Sequence, residues 1–151
     1  MAIVNYNRNV IRVKVYSSHQ DEATTTVATT PGMLMERHTA EGSIKPHASP
    51  GGVNMRMFAD RDELQGKTVD DDYTADTLCF FFPARNGDLV NALLTTNQDI
   101  AYGDKLISNG DGTLKAATTE TGYELVGIAR EAVDTTDSLV TTAQRILVEV
   151  L

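Results

Sequence analysis

The sequence predicts an all-β fold: a small barrel or sandwich of short antiparallel strands, preceded by an extended N-terminal arm. Three observations predict it. Apolar and polar residues alternate in several short runs. Such runs recur roughly every eight to twelve residues and are separated by turns rich in Gly, Asp and Asn. No segment sustains the 3.6-residue period of a helix, and no internal repeat stands out. At 151 residues the chain suits a single domain with a sizeable core.

The first strand is read from "VIRVKVY", where Ile11, Val13 and Val15 point one way and Arg12, Lys14 and Tyr16 the other. The polar, Thr-rich "SSHQDEATTTVATT" that follows reads as a loop or tether. The chain therefore divides into an arm and tether over residues 1–30 and a β-rich body over residues 31–151. Pro31-Gly32 is a turn signal before a strand in "MLMERH". "IKPHASPGG" reads as a loop, because its prolines and glycines do not sustain pairing. "VNMRMFA" alternates again, with Val53, Met55 and Met57 on one side. Asp60 and Glu63 have the spacing of a capping box, which predicts one helical turn ending at Gly66. "LCFFF" is wholly apolar, the pattern of a strand buried on both faces, and Pro83 ends it. Strands follow in "GDLVNALL", "KLIS", "GTLKAA", "YELVGIAREA" and "RILVEVL", the last with Ile146, Val148 and Val150 inward. A turn at Gly103-Asp104 opens the second of these. Asn109-Gly110-Asp111-Gly112 closes the second on the third as a hairpin, since Asn-Gly and Asp-Gly tolerate positive φ.

Composition limits the function. Net charge is −8 and the pI about 4.7, which argues against a protein built to grip nucleic acid. No apolar run approaches a membrane span, and the N-terminus shows no signal-peptide pattern. Cys79 is the only cysteine, so the expectation is a soluble protein of a reducing compartment, with Cys79 a small buried apolar residue. The charge is uneven. The first twenty residues carry Arg8, Arg12 and Lys14 and no acid, while the rest sets 21 acidic residues against the remaining ten basic ones.

No constellation of catalytic residues emerges. His19, His38 and His47 lie in separate loops or strand ends without zinc-site spacing, and loop histidines of this kind are expected at the surface. The "NGDG" tip lacks the alternating acids and terminal Glu of a calcium loop. "GKT" at 66–68 lacks the earlier glycine of a phosphate loop, position 61 being Arg61. Two acidic clusters, Asp60, Asp62 and Glu63 with Asp70, Asp71 and Asp72, are the only place for a divalent cation or a hydrolytic carboxylate pair, and solvated surface is the better reading. Phe80, Phe81 and Phe82 lack the basic groove that base stacking needs, so core packing is expected. The reading is a structural or interaction protein, not an enzyme, with no cofactor, no nucleic acid and no membrane as partner.

The order "GKTVDDDYTADT", "GDLVNALL", "DIAYGDKLISNGDGTLKAA", "ELVGIAREAVD", "RILVEVL" over residues 66–151 resembles the capsid decoration, or cement, proteins of tailed bacteriophages. The resemblance implies a β-tulip or small β-barrel body. It also implies a place on the outside of the capsid, with the major capsid protein as partner, and self-association, most often as a homotrimer and in some relatives as a dimer. It carries over no catalytic residues. Within that frame the basic arm is the candidate contact with the capsid or a neighbouring subunit: Arg8, Val10, Ile11, Arg12, Val13, Lys14 and Val15. The competing assignment has Ile11, Val13 and Val15 fill the protein's own sheet. Gly103, Asp104 and Asn109 to Gly112 are expected as structural turns. A receptor- or glycan-binding module of a virion fibre or adhesin is the alternative, weakened by the lack of Trp and by only five Tyr.

Overall fold

The computed structural model describes residues 9–16, 19–118 and 121–151. The fold is all-β. Its strands are β1 (Arg12–Lys14), β2 (Asp21–Thr25), β3 (Leu34–Arg37), β4 (Ser43–Pro46), β5 (Met57–Ala59), β6 (Thr77–Pro83), β7 (Leu89–Leu94), β8 (Asp99–Ile100), β9 (Lys105–Ser108), β10 (Leu114–Ala116), β11 (Leu125–Ala129), β12 (Val133–Asp134) and β13 (Gln144–Val150). One 3-10 turn, Glu63–Gln65, lies between β5 and β6. Asp62 accepts from Gln65 N–H at its start and Gly66 ends it in the left-handed region.

The strands close into two small rings. The first is a closed barrel in the order β2-β4-β3-β5-β6. In the second, β13 pairs antiparallel with β7 from Gln144↔Leu94 to Glu149↔Leu89 and completes the circuit β7-β10-β9-β11-β13. Each ring contains one parallel pairing, β2 with β4 and β10 with β7, where antiparallel pairing alone was expected. Strand β1 lies on β7, and β8 pairs with β12 as a separate ribbon.

The rings share a core because stretches of three strands of the first, β3, β5 and β6, are buried on both faces. Met35, Met57, Ala59, Cys79 and Phe81 fill the first barrel with Ala23, Ile44 and Tyr73. Their neighbours in sequence, Leu34, Phe58 and Phe82, point the other way and join the second ring's Val90, Leu94, Leu106, Leu114, Val126, Ile146 and Val148. Period-two alternation lets one strand serve two cores: in β6 Cys79 and Phe81 enter the first and Phe82 the second, while Leu78 stays 49% exposed. The Phe58 and Phe82 rings meet at 6.1 Å, tilted by 30°.

Three expectations are corrected. The Thr-rich tether is strand β2, paired with β6 from Asp21↔Phe81 to Thr25↔Thr77, so the boundary at residue 30 does not separate an arm from the body. Its inward residues are only Ala23 and Thr25, too small to register as an apolar face. The loop read in "IKPHASPGG" begins as strand β4, with Pro46 as its last residue, where the missing N–H matters least. The strand read in "VNMRMFA" covers only Met57–Ala59. Before it, Arg56 takes φ of 53° and breaks the alternation, leaving Val53 78% and Met55 65% exposed.

Candidate interaction surfaces

The N-terminal segment is placed on the chain's own sheet. Ile11 is fully buried in the shared core and Val15 packs against it. Asn91 fixes the segment twice, its backbone N–H donating to the Ile11 carbonyl at 2.9 Å and its side-chain amide to Val10 at 2.8 Å. Tyr16 N–H donates to Asp88 Oδ1 at 3.0 Å. Arg12 reaches the other ring: its Nε lies 2.7 Å from Asp60 Oδ2, and its guanidinium stands over Phe82 at 5.7 Å. Residues 10–15 are therefore a clasp between the rings, which corrects their assignment to a free arm. The energetic reason is burial: Ile11 finds an apolar seat at home, and Arg12 a carboxylate. Val13 is half-buried and Lys14 exposed. Arg8 lies outside the described residues.

Asp60 is the hub of the clasp. It also accepts from Gln20 Nε2 at 3.2 Å and from Arg61 N–H at 2.9 Å, while its carbonyl accepts from Tyr73 Oη at 2.6 Å. Burial holds its carboxyl above the usual carboxylate range, and Arg12 only partly offsets that. Burial, with Asp60 and Asp62 nearby, likewise pushes the Cys79 thiol up to about 12.

The β9–β10 hairpin carries Asn109 to Gly112 at its tip, and the tip is docked. Leu34 N–H donates to the Gly112 carbonyl at 2.8 Å, and Gly112 N–H to the His47 carbonyl at 3.2 Å. Gly110 and Gly112 have φ of 91° and 85°. Asp111 accepts from Thr113 N–H at 3.0 Å and from the Thr113 hydroxyl. These bonds, with one from Asn109, hold its carboxyl below the usual range in spite of partial burial. At the other turn Asp104 Oδ2 accepts from Ala101 N–H at 2.9 Å, and Gly103 N–H donates to the Ala129 carbonyl at 2.8 Å.

Sequence reasoning missed His47. It is fully buried, not at the surface. Nε2 lies 2.8 Å from the Val53 carbonyl and Nδ1 2.7 Å from Ser108 Oγ. A carbonyl only accepts, so in the neutral ring the proton is on Nε2 and Ser108 donates to Nδ1. His47 thus ties the loop after β4 to β9. Nothing in the sequence marks this, because Ser108 is 61 residues away.

Among the described residues no group of three or more His, Cys, Asp or Glu side chains is placed to hold a metal ion. The acidic clusters serve local ends: Asp60 holds Arg12, Asp62 caps the 3-10 turn, Glu63 pairs with Arg61 at 3.0 Å, and Asp71 accepts from Thr68 N–H at 2.7 Å. Large apolar side chains are exposed at several places, Val53, Met55, Leu64, Leu78, Tyr102 and Leu139 among them. Scattered singly such residues need no explanation; grouped, they mark contact surfaces.

No protein-family profile matches the chain, and no curated protein is significantly similar to it in sequence. In three dimensions it is similar to the N base of the head fiber gp8.5 in bacteriophage phi29. The TM-score is 0.56 and the identity 16%, over 88% of this chain and 93% of that one. At that identity the likeness is one of fold, and it spans both rings of this molecule.

Proposed function

We propose that this chain is a structural component of a bacteriophage virion that sits on the outside of the head and binds the major capsid protein. The observation that carries this reading is the fold shared, along nearly its whole length, with the base of a phage head fiber. The order of turn and strand motifs over residues 66–151, which resembles capsid decoration proteins, supports the same assignment independently. The architecture suits it. Two small rings locked by a shared core and a partly buried ion pair make a rigid body with pinned loops, and a rigid body loses little freedom on docking. Repeated weak contacts, multiplied in a homotrimer, then give avidity. This function requires no catalysis and no cofactor.

Two roles fit on the head: a cement that staples capsid subunits, and the seat of a fibre. The fold likeness favours the second and the sequence motifs the first. Purified protein is added to shells assembled from the major capsid protein of the same source, lacking this chain. Stoichiometric co-sedimentation, with new density on the outer surface in cryo-images, is the expected result. No binding, and no such density on authentic virions, overturns the proposal. Heating the decorated shells separates the roles, since cement raises the rupture temperature and a fibre base leaves it unchanged. Light scattering of the free protein checks the trimer.

A further inference from the structure

Two of the exposed apolar side chains, Leu64 and Leu78, lie beside acidic residues at one place. A groove of about 430 Å³ runs between the 3-10 turn and the outer face of β6. Leu64 and Leu78 line it, 85% and 49% exposed, and Tyr73 and Phe80 also contribute. The turn that carries Leu64 is pinned at both ends, by the Asp62 cap and by Lys67 N–H donating to the Asp62 carbonyl at 2.9 Å. A leucine is thus held in water on a fixed support. The groove's charged lining is Asp62, Asp71 and Asp72 against Lys67, a net −2.

We propose that this groove binds an extended protein segment in which lysine or arginine flanks a branched or aromatic apolar side chain. Charge decides the class of occupant. The negative rim repels nucleic acid, anionic lipid and acidic peptides. A bare cation lacks a ligand set here and leaves Leu64 and Leu78 uncovered. A polyamine answers the charge but not the apolar walls. A basic, apolar peptide segment answers both: its apolar residue covers the two leucines, and its cations meet the rim, giving an association rate that falls with salt. The inference is independent of the virion assignment, since it concerns the chemistry of one surface.

The test uses the full chain, labelled with nitrogen-15, and three synthetic ten-residue probes: alternating Lys and Leu, alternating Glu and Leu, and alternating Lys and Ser. The Lys/Leu peptide is expected to shift the amide resonances of residues 64–68 and 77–80, with affinity at least tenfold weaker for the double variant Leu64→Ser, Leu78→Ser. Both side chains are solvent-facing, so the variant's melting temperature should match the parent's and the comparison is clean. The Glu/Leu peptide should not bind. Three results overturn the proposal: equal binding by the double variant, equal binding of the Lys/Ser peptide, or shifts confined to other parts of the molecule.

Discussion

At Gly110 a Cβ would stand 2.6 Å from Pro50 Cγ, and φ is already 91°. Gly110→Val therefore meets both a steric and a backbone penalty, and we expect a loss of about 1–3 kcal/mol in denaturant titration. Gly112→Val, against Pro46 and Met33, should behave alike. Asp111→Asn keeps an acceptor for Thr113 and should cost less than about 1 kcal/mol. The contribution of the Asp111 carboxylate is present above its unfolded pKa, because its folded value is depressed, and is lost as pH falls through that folded value. Asp60 has the opposite sign. Its folded pKa is raised, so its contribution is fully present below the ordinary value of 3.8 and is lost as pH rises through the folded one. Arg12→Ala leaves that buried carboxylate unpaired at neutral pH and should cost up to about 3–5 kcal/mol. The penalty should shrink towards roughly pH 4, the unfolded carboxylate value, where the protonated acid needs no cation. A penalty that is flat with pH would show that Arg12 acts only through packing on Phe82. Cys79, with its thiol pushed up to about 12, should resist alkylation at neutral pH in the folded protein and react promptly in denaturant.

Among the elements, the strands with large inward side chains were legible in the sequence. "GDLVNALL", "LCFFF" and "RILVEVL" are β7, β6 and β13, with most of their apolar residues buried, although Leu78 of β6 is 49% exposed. The 3-10 turn was legible in its Gly66 end, while its cap is Asp62 in place of Asp60. Strand β2 was not legible, because its pairing with β6 supplies what its own side chains do not: Glu22 and Thr24 face solvent, and the inward Ala23 and Thr25 are small. In β11 a bulge between Leu125 and Gly127 shifts the pattern, so Val126 and Ala129 are buried and Ile128 only partly. Strand β1 was legible as a strand but not as to its partner. One strand's alternation states that a face is apolar, not whose core receives it. That ambiguity yields a prediction. Deleting residues 2–18 removes Ile11 from the core and Arg12 from Asp60. The truncated protein should lose most of its stability, seen as a large fall in melting temperature or as insoluble product. A truncated protein that melts like the parent would return the segment to the role of a free arm.

For the molecule as a whole, the two rings pose a question of cooperativity. Closed five-stranded rings joined by a loop can unfold separately if little surface is shared. Here the shared surface is large in kind: Leu34, Phe58 and Phe82 belong by backbone to the first ring and by packing to the second. Arg145 of the second donates to the carbonyls of Pro31 and Val69. His47 reaches Ser108, and the tip of the β9–β10 hairpin bonds to Leu34 and His47. Opening either ring alone would expose these aromatic and aliphatic groups and strand several buried polar ones, a cost well above what a ring this small keeps in reserve. The molecule should therefore melt in one transition, with calorimetric and van't Hoff enthalpies equal. Phe82→Ala should cost about 3–5 kcal/mol, and it should lower the protection of β13 amides against hydrogen exchange as much as that of β6 amides. Two transitions, or a Phe82→Ala effect confined to β6 and its neighbours, would mean that the rings are separate folding units and that the wall between them is a docking interface and not a core.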